Sequence, residues 1–214
     1  MNQSELEKTV ARGEGQQLEF KHTVDNPEKV LREIVAFANT DGGSLLIGVG
    51  DDQKIRGLKT PEEDIIILEE ANKKFCKPVV KYQVHKVPVS SKRQVVLIKV
   101  PRGNHKPYFI KVPDSNVKVA YVRVNDESIK ASREVREILK GSNRNTGVTI
   151  RYDEPEQKLM TYLESKDSVT LYQFRKLANI TKNVASRILI KLTLAGVLKV
   201  NPAPGGDVFE YISQ

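Results

Sequence analysis

The sequence predicts an α+β protein of two domains, a mixed-sheet domain followed by a small helical one. Three observations carry that reading. Residues 1–139 interleave strand-period and helix-period apolar runs. Lys140–Gly147, K-G-S-N-R-N-T-G, holds no large apolar residue. From Tyr152 the spacing turns helical until two strand-like runs close the chain. The domains are placed at 1–139 and 151–214, with a linker over 140–150.

Residues 1–13 carry mixed charge and read as a short helix or a frayed arm. Leu18-Glu19-Phe20-Lys21 alternates with the period of a half-buried strand. Asn26 is placed to cap a helix with Pro27 at its first position, and Val30, Leu31, Ile34, Val35 and Ala38 fall on one helical face. Gly42 and Gly43 stop that helix. Leu45–Val49 is continuously apolar, as a strand covered on both faces requires, and Asp51–Lys54 turns the chain into a returning strand at Ile55–Leu58. Pro61 opens a helix to about Phe75. Val79–Pro88, Val95–Val100 and Tyr108–Val124 are rich in β-formers. The last is a hairpin turning at Val112–Asn116, and a short helix at Ser132–Leu139 follows.

In the second domain Pro155 starts a helix with Leu159, Tyr162 and Leu163 on one face. Thr170-x-x-Gln173 is a capping box for a second helix with Leu171, Phe174 and Leu177 inward. Thr181 caps a third helix, which buries Ala185, Ile188, Leu189 and Leu192 and turns Lys182, Asn183, Ser186, Arg187 and Lys191 outward. Val197–Val200 and Val208–Ile212 form a hairpin around a tip that lacks Lys and Arg. Three helices and a hairpin make a winged helix-turn-helix, in which Lys182, Asn183, Ser186 and Arg187 face the major groove.

Composition narrows the partners. With 39% hydrophobic and 29% charged residues over 214 positions, wholesale disorder is excluded. A net charge of +8 favours polyanions. Residues 151–214 hold nine Lys and Arg against seven Asp and Glu, a net of +2, which leaves +6 for residues 1–150. The lone Cys76 cannot form an internal disulfide, and no apolar run approaches the ~18 residues of a bilayer span. A cytoplasmic protein with no membrane partner is expected.

Lys99, Arg102, His105, Lys106 and Tyr108 form the best phosphate-contact loop of the first domain, cations on a Gly103-containing segment with an aromatic to stack on a base. Asn39–Gly43 could offer backbone N–H groups to a phosphate. It is not a P-loop, because the helix precedes the glycines, and Gly48-Val49-Gly50 is not a dinucleotide fingerprint. His22, His85 and His105 have no metal spacing. Arg123 is placed to face carboxylates of the opening stretch. Glu14, Glu19 and Asp51 could converge on magnesium or manganese, or Glu19 could pair with a neighbouring cation.

From Glu14 to Ser132 the chain resembles the Schlafen-type AlbA-like (AlbA_2) domain. The resemblance rests on E-x-x-x-x-E-F-K at Glu14–Lys21, F-A-N-T-D-G-G at Phe37–Gly43, the run Leu45–Asp52, Gly57-Leu58, and A-Y-V-R-V-N-D-x-S at Ala120–Ser128. It implies nucleic-acid binding, often of DNA, in proteins described as transcriptional regulators, and a winged helix after such a domain is a familiar arrangement. In some animal Schlafen proteins the domain is an endoribonuclease using three acidic residues. Two match Glu14 and Glu19, and the third falls on Gly50 or Asp51. The main expectation is a DNA-binding transcriptional regulator, working as a homodimer without a cofactor. The alternatives are a magnesium- or manganese-dependent nuclease using Glu14, Glu19 and Asp51, with RNA as a further substrate, and a protein-interaction adaptor.

Overall fold

The architecture comes from a computed structural model, which describes residues 1–113, 115–143 and 152–212. They form two compact units, Met1–Lys130 and Ala131–Gln214. The first unit runs α1 (Gln3–Ala11), β1 (Leu18–Lys21), α2 (Pro27–Asn39), β2 (Gly43–Ile47), α3 (Pro61–Phe75), β3 (Cys76–Lys77), β4 (Gln83–Ser90), β5 (Arg93–Val100), β6 (Phe109–Lys111), β7 (Lys118–Val119), β8 (Tyr121–Val124) and β9 (Glu127–Lys130). Its main sheet has the order β1-β2-β5-β4, with β1 parallel to β2 and the other pairings antiparallel.

The central strand β2 is covered on both faces, which its unbroken apolar run demands. On one face Leu45 and Ile47 pack with Leu31, Ile34 and Phe37 of α2 and Leu68 of α3. On the other, Leu46 packs with Phe20, Leu97, and Leu6 and Val10 of α1. Burying each such side chain fully is worth about 1.5–3 kcal/mol. The Asn26 side chain accepts the Lys29 N–H at 3.1 Å and caps α2 as expected, with Pro27 in the first turn. α1 is a helix opened by an Asn2–Glu5 capping box.

Three departures from the sequence reading have local causes. Ile55–Leu58 forms only bridges, Val49 to Ile55 and Leu58 to Gln94, because Gly57 turns left-handed at φ +66 and both Arg56 and Gly57 direct their N–H to the Gly48 carbonyl. Val79–Lys81 precedes the strand β4, since the Asn72 amide takes both backbone groups of Val80, at 2.8 and 3.1 Å. The hairpin's second arm divides: β7 pairs with β6, while β8 pairs with β9, a strand the sequence reading missed. Of the predicted turn Val112–Asn116, Asp114 lies outside the described residues.

The second unit runs α4 (Arg133–Gly141), α5 (Glu154–Ser165), β10 (Ser168–Thr170), α6 (Leu171–Leu177), α7 (Lys182–Leu194), β11 (Leu198–Asn201) and β12 (Val208–Tyr211), with a sheet ordered β10-β12-β11. Thr170 and Gln173 form the expected capping box, and Thr181 caps α7. Ala185, Ile188, Leu189 and Leu192 enter the core with Leu159, Phe174 and Phe209. Leu177, expected inward, is 38% exposed. The short helix α4, read from the sequence as the end of the first domain, belongs to this unit. Its Ile138 packs on the core, and its N-cap Ser132 donates to Asp207 between β11 and β12. Residues 144–150 of the predicted linker lie outside the described residues.

Candidate nucleic-acid interface

Register places one row of residues across the main sheet: Leu18 beside Ser44, Ser44 beside Lys99, Lys99 beside Gln83. Side chains alternate between sheet faces, so this row lies on the same face as Phe20, Leu46 and Leu97, which α1 covers. α1 stops at Ala11 and Gly13 bends the chain left-handed at φ +76, so the row at the sheet's end stays open. The result is a cleft of about 850 Å³ lined by Arg12, Glu14, Ser44, Lys81, Lys99 and Pro101 among others. Arg12, Lys81 and Lys99 are exposed cations in it. Glu14 is the single carboxylate of the lining; it accepts the Phe20 N–H at 2.8 Å and so occupies the edge of β1. Burial pushes the Glu14 carboxyl up, and the charges of Glu19 and Asp51 act in the same direction, while the Phe20 hydrogen bond and Lys21 oppose them.

Glu19 points to the other face and is buried. Arg123, its side chain 1% exposed, reaches Glu19 at 2.7 Å and Glu33 at 2.8 Å, and donates to the carbonyls of Gly15 and Leu18. Its guanidinium lies 5.1 Å from the Phe37 ring centroid. The second oxygen of Glu19 pairs with Lys21. Burial likewise pushes the Glu33 carboxyl up, against the opposing hydrogen bond from Ser128. Glu19 is thus engaged at both oxygens, while Asp51 is exposed on the turn after β2. Among the described residues no group of three or more His, Cys, Asp or Glu is arranged to hold a metal ion. As placed, Glu14, Glu19 and Asp51 do not fit magnesium or manganese.

The loop proposed for phosphate contact divides in two. Lys99 lines the cleft and His105 is exposed, while Arg102 pairs with Asp41 at 3.3 Å. Lys106 and Tyr108 are buried, so neither offers itself to a phosphate or a base. Lys106 donates to the Thr40 carbonyl at the end of α2, where a cation suits the helix dipole. Burial, with repulsion from Arg102, pulls its ammonium down to about 8.

In the second unit α4 packs along one side of α7, next to the core face. Arg133 of α4 donates to the Asn183 side chain at 3.2 Å, Ser186 donates to Glu134 at 2.6 Å, and a Cβ added at Gly141 would come within 2.5 Å of Leu194. Contacts at 183, 186 and 194 mean that α4 runs along the length of α7. Ser186, expected in the groove, is 2% exposed. It was misread because helical periodicity distinguishes the core side from the rest and says nothing of a second neighbour. Lys182 and Arg187 remain exposed.

The family model described as Schlafen, AlbA_2 matches residues 14–132, more than half of the chain. The chain belongs to this family. No curated protein matches it. Among solved structures, the N-terminal domain of a protein from Nitrosomonas europaea, described as related to the ATP-dependent DNA helicase RecG, is 21% identical. That match has a TM-score of 0.46 and covers 62% of this chain and 94% of that one. The DIP2311 protein from Corynebacterium diphtheriae is 18% identical with a TM-score of 0.46; the match covers 92% of this chain and 34% of that one.

Within the AlbA_2 region the segment F-A-N-T-D-G-G is structural. The Asn39 side chain donates to the carbonyls of Tyr108 and Tyr121 and accepts the Tyr108 N–H at 2.7 Å. Thr40 accepts the Arg123 N–H at 2.9 Å. Gly42, at φ +79, leaves no room for a Cβ beside the Val100 carbonyl, and its N–H is held by the Phe37 carbonyl at 2.9 Å. That N–H is therefore not presented to a phosphate. The cleft cations Arg12 and Lys81 were missed in the sequence, where each is one charged residue in a polar stretch. Only the sheet register brings them to Lys99.

Proposed function

We propose that this AlbA_2 protein binds nucleic acid, with DNA as its ligand, through the open end of the main sheet. The observation that carries this is the cleft itself, in which Arg12, Lys81 and Lys99 converge and the one carboxylate is turned to the backbone of β1. Cations on a rigid sheet suit phosphate, because release of condensed counterions drives such binding. The net charge of +8 supports the same reading.

The test is the affinity of fluorescent duplex DNA and single-stranded RNA for the full chain over a salt series. Lys81→Glu with Lys99→Glu is expected to weaken DNA binding by about tenfold or more and to flatten the plot of log K against log salt. A plot already flat for the wild type would overturn the proposal. Preference for RNA would keep the cleft and replace its ligand.

The narrower role we infer is that of a transcriptional regulator acting as a homodimer. Its DNA-reading part is supported by the order helix, strand, helix, helix, hairpin in the second unit, the order a winged helix-turn-helix would have. Selection from random duplexes tests it: an enriched two-fold symmetric site supports the role, and no enrichment removes it while leaving DNA binding in place.

A further inference from the structure

We propose that the furrow between α4 and α7 is a phosphate-backbone site, through which the second unit holds a DNA strand by its charge. The proposal rests on the reading that this protein binds DNA. A helix with its side chains is about 10–12 Å across, and the major groove, about 12 Å wide, admits one. With α4 beside it, α7 leaves open only the side that carries Lys182, Arg187 and Lys191, while Ser186 is closed off.

The packing of α4 on α7 is built into the unit. Glu134 and Ser186 are both buried where they meet, Val135 is buried beside them, and Gly141 lies against the end of the Leu194 side chain, which a Cβ there would push aside. The outward face of α7 also carries Ile190, half-buried, a residue suited to a neighbouring helix and not to base edges. Asn183, the side chain best suited to reading adenine, has its amide oxygen engaged by Arg133.

What the furrow offers instead is charge. Its volume is about 420 Å³, and its lining includes Arg133, Lys140, Arg187 and Lys191 against one carboxylate, Glu137. All four cations are exposed, and Arg187 and Lys191 stand one helical turn apart. Exposed cations along a groove between two fixed helices attract a phosphodiester strand whatever its sequence.

The experiment compares wild type with Arg187→Glu/Lys191→Glu in the full chain, using several unrelated duplexes over a salt series. Lys158→Glu, on α5 and outside the furrow, is the charge control. Affinity is expected to fall about tenfold by a common factor for every duplex, and the salt slope to lessen by about one per lost phosphate contact. Undiminished affinity, or a loss confined to one sequence, overturns the furrow. A wild type that binds no duplex overturns this proposal, and one that binds neither duplex nor single-stranded RNA overturns the cleft as well, whereas a loss on Lys81→Glu with none on Arg187→Glu/Lys191→Glu overturns the furrow alone. A second arm joins the helices with Gly141→Cys/Leu194→Cys. Oxidised and reduced forms are expected to bind equally; loss of binding on oxidation would show that α7 must leave α4, and would sink the proposal.

Discussion

Ser186 donates a 2.6 Å hydrogen bond to Glu134 at a point where both residues are buried. This contact joins α7 to α4 inside the second unit. Glu134→Ala would leave the Ser186 hydroxyl buried without its acceptor, at a cost of about 1–3 kcal/mol. Amides of α4 are then expected to exchange with deuterium about tenfold faster or more. Unchanged exchange over Arg133–Gly141 would show that apolar packing alone holds α4.

Arg123 joins two carboxylates and two backbone carbonyls inside the first unit. Arg123→Met would strand Glu19 and Glu33 in a buried place and is expected to cost about 3–5 kcal/mol. Arg123→Lys is not expected to restore the loss, because a point charge cannot bridge two carboxylates and two carbonyls as the planar fork does. Urea midpoints of the three proteins, followed by a signal from the first unit, check both statements.

Lys106 makes stability depend on pH. Burial, joined by Arg102, pulls its folded-state ammonium down to about 8 from the ordinary value of 10.5. Between those values the unfolded chain keeps a proton that the folded chain has lost, so this residue's contribution to stability rises with pH across the window. Lys106→Met is expected to remove that rise. Urea midpoints at about pH 8 and about pH 10 for both proteins measure it; equal slopes would contradict the assignment.

Cys76 is buried at the end of α3, and burial pushes its thiol up to about 12. The native protein is expected to react with a thiol reagent at neutral pH only as fast as it opens, and stoichiometrically once denatured. Rapid labelling of the native chain would mean that the β3 region is loosely held.

Gly42 and Gly205 form a matched pair. Alanine at Gly42 meets both a left-handed backbone at φ +79 and the Val100 carbonyl at 2.6 Å, and is expected to cost more than about 2 kcal/mol. A Cβ at Gly205 has nothing within 4 Å, so Gly205→Ala is expected to be nearly neutral. Thermal unfolding of the two variants separates them.

Local signals were legible wherever a short stretch of chain settles its own structure. Asn26 and Pro27 announced α2, Thr170 with Gln173 announced α6, and the unbroken run Leu45–Val49 announced a doubly covered strand. Arg123, placed by the sequence to face the opening carboxylates, pairs with Glu19 and Glu33. The first domain's family could be read from ordered motifs, and residues 14–132 match it.

By itself, then, the sequence determined the α+β class, the helix caps, the basic balance and the family, all properties of residues close in the chain or of the chain's sum. Tertiary structure decided which charges are available. It buried Lys106 and Tyr108, engaged Glu19 with Arg123 at a separation of 104 residues, gathered Arg12 and Lys81 at Lys99, and laid α4 against α7 through partners 52 residues apart. Periodicity records that a side chain faces something. What it faces depends on contacts between distant segments, and those form only when the chain has closed on itself.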